Sequence, residues 1–291
     1  MPTDKQNCSM KLADGRTLGF AEYGGRSDRA VFYFHGSGSS RLEHPTDADI
    51  LKQLNIHFIS VDRPGNGLSD FQPERRLIDW PKDIAQLAEY LEIDQFYVAG
   101  HSAGGPHALV CAHQLPEQVL AAAAISSVAP MDRDNAYRGM PIMNVLLARS
   151  ARQFPVLLSL IRWLMRKMVM GDFEKATKQL MSSIPDTDKT ILNDPHNAEI
   201  FVSAVREGFH SGWQGVAQDD ILINRDWGFD LTMIKPRVDI WHGTEDVNVP
   251  IGAAKHLQER LPHARPNYLS GEGHFFLLKY WGKILSNLVE S

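Results

Sequence analysis

The sequence predicts an α/β protein: a mostly parallel central sheet flanked by helices, with a block of helices inserted before the last strands. Three observations predict it. Short apolar runs recur at residues 30–34, 57–61, 95–99 and 121–128, the pattern of strands buried on both faces of a sheet. Segments with apolar residues at helical spacing lie between them, and such alternation gives parallel strands joined by crossover helices. The alternation stops near residue 130 and resumes at 237–241 and 266–269, so the sheet is completed by chain on the far side of an insertion.

Taken in order, residues 9–12 and 17–23 form a hairpin whose turn is Asp14-Gly15, a pair that tolerates the positive φ of a tight reversal. After Gly24-Gly25 the strand 30–34 begins the parallel part. Helices are expected over 46–54, over 79–91 with Pro81 in the first turn, and over 103–115, which stops at Pro116. Residues 130–225 are rich in Met, Leu and Trp, are punctuated by Pro141, Pro155, Pro185 and Pro195, and are expected to form a helical cap or lid. Residues 1–129 and 226–291 form the core, whose second part carries helices at 251–261 and 274–289.

Composition narrows the function. With 30 Lys and Arg against 35 Asp and Glu, the net charge is −5; without a basic run, nucleic acid is not an expected partner. At 43% apolar and 22% charged residues, a chain of this length buries an ordinary globular core. Cys8 and Cys111 give no disulfide framework, which fits a reducing compartment. Residues 1–7 are polar and lack the parts of a secretion signal. The most apolar stretch, 154–170, is interrupted by Arg162, Arg166 and Lys167 and is too short and too charged to span a bilayer. A cytoplasmic protein without an integral membrane segment is expected.

The chemistry concentrates at Gly100-His101-Ser102-Ala103-Gly104, directly after the strand 95–99 and directly before the helix 103–115. A nucleophile elbow requires this context: the serine sits on a strained strand-to-helix turn, and small neighbours let the backbone close. An activated serine needs a base, and the base an orienting carboxylate, here in the chain order serine, acid, histidine. Asp246 follows the strand 237–241, and His274 follows the last strand, both at the sheet edge where sites of parallel sheets collect. Among twelve histidines, His107, His113 and His256 fall inside helix patterns, His242 precedes its loop, and His101 flanks the serine. Glu245 should point away from Asp246, and Asp132, after the strand 121–128, is the competing acid. Donors to an oxyanion are expected from the backbone N–H of Ala103 and of Ser37, with Gly38 the neighbouring alternative to Ser37. The loop 35–40 lacks the lysine followed by serine or threonine that completes a nucleotide phosphate cradle. No histidine and carboxylate cluster has zinc-ligand spacing, so neither a metal nor another cofactor is expected.

At these residues the chain resembles the α/β-hydrolase fold superfamily. His35-Gly36 is similar to its oxyanion-loop motif, residues 62–69 (Asp-Arg-Pro-Gly-Asn-Gly-Leu-Ser) to its Asp-x-Pro-Gly-x-Gly-x-Ser turn, residues 100–104 to the elbow, and residues 243–250 to the acid loop. The resemblance covers 9–129 and 226–291, leaves the cap unmatched, and implies a serine hydrolase with a helical cap. Asp62 and Arg63 are then architectural. Ser102 stands where epoxide hydrolases and haloalkane dehalogenases of this fold use aspartate. Proline iminopeptidases usually have a tryptophan after the nucleophile and a His-Gly-Gly-Pro-Gly loop, both missing here. Carbon-carbon bond hydrolases share His-Gly-Ser-Gly, but Ser39 and Ser40 replace their following proline and glycine. The expected activity is cofactor-independent cleavage of an ester, thioester, lactone or related acyl bond of a small apolar molecule through a Ser102 acyl-enzyme. A carbon-carbon bond hydrolase or an iminopeptidase-like hydrolase is the alternative within the class, and a non-hydrolytic lyase or small-ligand sensor the alternative outside it.

In the cap, helix 154–170 carries Phe154, Leu157, Leu158, Ile161, Leu164, Met165 and Met168 on one broad face, with Arg162, Arg166 and Lys167 largely opposite. The apolar face is expected inward, as core or as pocket wall above Ser102. The basic face would then look outward, where it could also meet a membrane surface. Met140, Met143, Leu157 and Trp163 are expected in the pocket wall.

Overall fold

The computed structural model of the protein describes residues 4–131, 135–172, 177–178, 181–182 and 184–290. From the amino end the elements are β1 (Lys5–Lys11), β2 (Thr17–Tyr23), β3 (Arg29–Phe34), α1 (Ala48–Gln53), β4 (Ile56–Val61), α2 (Trp80–Tyr90), β5 (Phe96–His101), α3 (Gly105–Gln114) and β6 (Val119–Ile125). Among the described residues the insertion then contributes α4 (Ile142–Gln153), α5 (Pro155–Met170), α6 (Asp186–Leu192), α7 (Pro195–Gly208) and α8 (Gln214–Ile223). The chain closes with β7 (Arg237–Gly243), α9 (Gly252–Arg260), β8 (Ala264–Leu269) and α10 (Leu277–Val289).

The strands form one sheet in the order β1-β2-β4-β3-β5-β6-β7-β8. β2 is antiparallel to both β1 and β4, and every other pairing is parallel. Successive side chains of a strand leave opposite faces, and this sorts the core into two layers. From β3, Ala30, Phe32 and Phe34 pack with Trp80 and Leu87 of α2, Leu109 of α3 and Leu257 of α9. Val31 and Tyr33 pack on the other face with Leu51 of α1 and Trp281 and Leu285 of α10. Pro81 and Pro106 lie in the first turns of α2 and α3, where a missing N–H costs nothing.

Because β3 lies between β4 and β5, the strand order reverses there, and a crevice opens beyond the carboxyl ends of β3 and β5. The loop after β3 and the turn after β5 border it. Two boundaries differ from the sequence pattern in ways that matter to the site. β5 runs on to His101, so Ser102 follows the strand directly, and Ser102–Gly104 is a single 3-10 turn before α3. The last helix begins at Leu277 rather than at residue 274, and ahead of its first turn Phe275 N–H donates to Asp188 Oδ1 (2.8 Å).

The orientation expected of α5 holds only in part. Leu158, Met165 and Met168 of the expected inner face pack inward, but Phe154, Leu157 and Leu164 face solvent together with Val156, Leu160 and Trp163. Arg162 and Arg166 turn inward: Arg162 Nε donates to Asp220 Oδ2 of α8 (2.6 Å), and Arg166 Nε to the Phe209 carbonyl (3.0 Å). Partners supplied by distant chain segments satisfy these guanidiniums, and helical periodicity carries no information about such partners.

Candidate active site

The turn at Ser102 is dictated by its neighbours. Ser102 has φ +53°, a left-handed conformation that costs a non-glycine residue on the order of 1–3 kcal/mol. A Cβ on Gly100 would overlap the Gly104 carbonyl, and one on Gly104 the Phe34 carbonyl. Only glycine fits at either place. The tight turn lifts Ser102 to the wall of a cavity of about 320 Å³, which His274, Ser37 and Gly38 also line.

The loop after β3 is held from behind. Arg63 donates through Nη1 to the His35 carbonyl and through Nη2 to the Gly36 carbonyl (3.1 Å). In a trans peptide the N–H points opposite to the carbonyl, so drawing the Gly36 carbonyl toward Arg63 turns the Ser37 N–H away from it. Neither Ser37 N–H nor Gly38 N–H donates to a backbone carbonyl among the described residues. Burial, with the Arg63 charge beside it, pulls the His35 pKa down to about 3. His35 is therefore neutral; its Nε2 accepts from Arg63 N–H (3.4 Å), and its Nδ1 donates to the Gly36 carbonyl (2.8 Å). Arg63 in turn donates to Asp219 Oδ2 of α8 (2.9 Å). The loop's shape thus depends on an inserted helix.

Asp246 and His274 meet directly. His274 Nδ1 donates to Asp246 Oδ2 (2.7 Å), and Asp246 Oδ1 accepts from Val249 N–H (2.9 Å). Burial of the imidazole lowers its pKa, but the Asp246 carboxylate outweighs burial, and the His274 pKa ends above its ordinary value. Burial raises the Asp246 carboxyl, the adjacent histidine more than offsets this, and the acid stays ionised. His242 lies 3.6 Å from the same carboxylate but is committed to the Val249 carbonyl (2.7 Å), and burial lowers its pKa. Glu245 is exposed. The competing acid, Asp132, lies outside the described residues. Among those residues no hydrogen bond joins Ser102 Oγ to His274 Nε2; such contacts commonly tighten only with substrate bound.

Several groups at the site carry no signal in the sequence. The Glu43 carboxylate accepts from Tyr33 Oη–H, from Gly36 N–H (3.3 Å) and from His101 Nδ1 (3.1 Å), while His101 Nε2 faces the His274 carbonyl (3.3 Å). One buried acid thereby ties the loop after β3 to the elbow and, through His101, to the histidine. Burial raises its pKa, but the His101 hydrogen bond and charge prevail and hold it at about 2. Glu43→Gln removes the charge at nearly constant shape; because His101 and Tyr33 lose an ionised acceptor, about 3 kcal/mol of unfolding free energy should go with it. Urea denaturation checks this, and an unchanged midpoint would mean that Glu43 holds nothing. Asp188 of α6 fixes the residue after His274, and Ser126 Oγ donates to the His274 carbonyl (3.2 Å).

The cavity is apolar over most of its wall. Met140, Leu147, Leu158, Met165, Phe201 and Phe209 line it, with the Arg162–Asp220 ion pair at one side. Asp220 Oδ1 also accepts from Ser37 Oγ–H (2.7 Å). Of the residues expected in the wall, Met140 is there, whereas Met143, Leu157 and Trp163 are exposed on the outside of α4 and α5. Among the described residues no group of three or more His, Cys, Asp or Glu is placed to hold a metal ion, and no helix is long and apolar enough to cross a membrane.

A mostly parallel sheet with a serine elbow at its switch point and helices inserted before its seventh strand defines a class, the α/β hydrolases. The family profile of the alpha/beta hydrolase fold matches residues 29–279, and the chain belongs to that family. Among solved structures it is similar to a hydrolase from Pseudomonas aeruginosa PA01, with a TM-score of 0.72, 13% identity and 98% of each chain covered. It is also similar to an enol-lactonase from Burkholderia xenovorans LB400, with a TM-score of 0.70, 17% identity, and 97% of this chain and 98% of the other covered. An esterase from Rhodococcus sp. ECU1013 gives a TM-score of 0.67 at 18% identity, with 97% and 96% covered. At these identities the likeness shows the fold. A curated relative, the dihydrolipoyllysine-residue acetyltransferase component of an acetoin cleaving system from Pseudomonas putida, is 26% identical over an alignment of 192 residues that covers 60% of this chain. The chain spans about half the length of that relative, 50%.

Proposed function

We propose that the protein is a cofactor-independent serine hydrolase that cleaves an ester, thioester or lactone bond of a small, largely apolar molecule. The observation that carries this reading is the left-handed turn at Ser102, opening on the same cavity as a histidine bonded at 2.7 Å to a buried aspartate. Ser102 Oγ attacks the acyl carbon while His274 Nε2 takes its proton, and the developing imidazolium is stabilised by Asp246. The N–H groups of Ala103 and Ser37 receive the oxyanion, each worth about 3 kcal/mol in the transition state. His274 then returns the proton to the leaving group, and water, deprotonated by His274, releases the acid from Ser102. The esterase and enol-lactonase among the fold neighbours support an acyl bond as the target. Residues 130–225 serve as the lid that chooses the acyl group, and the unpaired Cys8 and Cys111 suit a cytoplasmic setting.

Nitrophenyl esters of graded acyl length test the reading, with turnover expected and no loss on chelation. No turnover of any ester, thioester or lactone would remove it. Leu158→Ala and Met165→Ala enlarge the wall without touching the triad, so preference should shift about tenfold toward longer acyl chains. An equal slowing of short and long esters would instead make both residues packing only.

A further inference from the structure

The outward face of α5 is apolar where solvent should favour charge. Val156, Leu157, Leu160, Trp163 and Leu164 are all exposed, Val156 to 83%, and their spacing of three and four residues aligns them in one stripe along a helix about 24 Å long. On α4, which packs against α5, Ile142, Met143 and Leu146 are exposed as well. Scattered exposed apolar residues need no explanation, but a continuous stripe marks a surface made to be covered.

Charge selects what covers it. Residues 135–171 contain six basic residues and no Asp or Glu, in a chain whose net charge is −5. Arg162 and Arg166 are drawn inward, but Arg138, Arg149 and Lys167 are exposed, and Lys167 Nζ stands 3.8 Å over the Trp163 ring. A second copy would bring the same positive charge to the contact. An apolar stripe with a Trp, on a stretch of chain that carries cations and no anion, suits the boundary of headgroups and acyl chains at an anionic lipid surface.

We propose that the outer face of α5, with the exposed amino-terminal half of α4, docks the protein reversibly on anionic membrane surfaces. The stripe lies in the plane of the interface with its side chains among the upper acyl groups, while Arg149 of α4 and Lys167 of α5 meet the headgroups. Met140, Leu147, Leu158 and Met165 of the cavity wall come from this same stretch of chain, so docking brings the cavity close to a lipid phase. The proposal concerns the surface and does not require the catalytic assignment.

Sedimentation of the full chain with vesicles tests it. Vesicles of equal phosphatidylglycerol and phosphatidylcholine should carry the protein down, phosphatidylcholine vesicles at least about tenfold less, and 0.5 M salt should release it, since screening acts on the headgroup attraction. Val156→Glu combined with Leu160→Glu should weaken binding by more than about tenfold, because each places a charge where an apolar side chain inserts. Both positions are exposed and outside the cavity, so the unfolding midpoint should not move. No binding to anionic vesicles, binding indifferent to the double substitution, or a solution dimer that the double substitution dissociates would each overturn the proposal, the last by assigning the stripe to a second copy.

Discussion

Ser102→Ala is expected to lower ester turnover by about a millionfold while leaving the fold intact, since losing a triad nucleophile costs about as much as losing the whole triad. The substitution removes one oxygen that makes no hydrogen bond among the described residues, and the turn is held by Gly100 and Gly104 rather than by that hydroxyl. Residual hydrolysis of about a thousandfold over water should persist from the N–H donors and the cavity alone. His274→Ala should be nearly as damaging, and the double substitution no worse than either, because the two groups act on one proton. Steady-state rates on a short nitrophenyl ester check this; a double variant much slower than both singles would mean that the residues work independently.

Asp246→Asn should lower kcat by about ten-thousandfold, because an amide neither fixes the reactive tautomer of His274 nor stabilises its imidazolium. It should also move the pH profile, and the sign follows from the site. His274 must be neutral to accept the serine proton, so activity falls as pH falls through its pKa. In the intact site Asp246 outweighs burial and raises that pKa above its ordinary value, so the acid limb of kcat/KM should lie above about 6.5. Without the carboxylate, burial is left to dominate, and the limb should move to lower pH. A limb that stays in place, or a larger loss from Asp132→Asn than from Asp246→Asn, would transfer the orienting role to Asp132.

The parallel sheet and the elbow were legible in the sequence because short-range physics writes them there. Strands buried on both faces need unbroken apolar runs such as residues 30–34, and the strained turn at Ser102 admits only glycine at 100 and 104. The contact between Asp246 and His274 could be anticipated because each residue follows a readable strand. Glu43, Asp188, Asp219 and Asp220 could not: each is a single acid whose meaning comes from a partner far along the chain, as with Arg63 and Asp219. The cap misled for the opposite reason. The rule that charges face water failed at α5, where Asp220 and the Phe209 carbonyl draw Arg162 and Arg166 inward and an apolar stripe takes the outside.

Hydrolysis as proposed here passes through a covalent acyl intermediate on Ser102. Rapid acid quench of the protein with a slowly hydrolysed nitrophenyl ester, followed by intact mass and peptide sequencing by mass spectrometry, tests it most directly. One acyl group per chain is expected, on the peptide containing Ser102, accumulating in Asp246→Asn and absent in Ser102→Ala. Steady turnover with no adduct, or an adduct on another residue that Ser102→Ala leaves untouched, would contradict it.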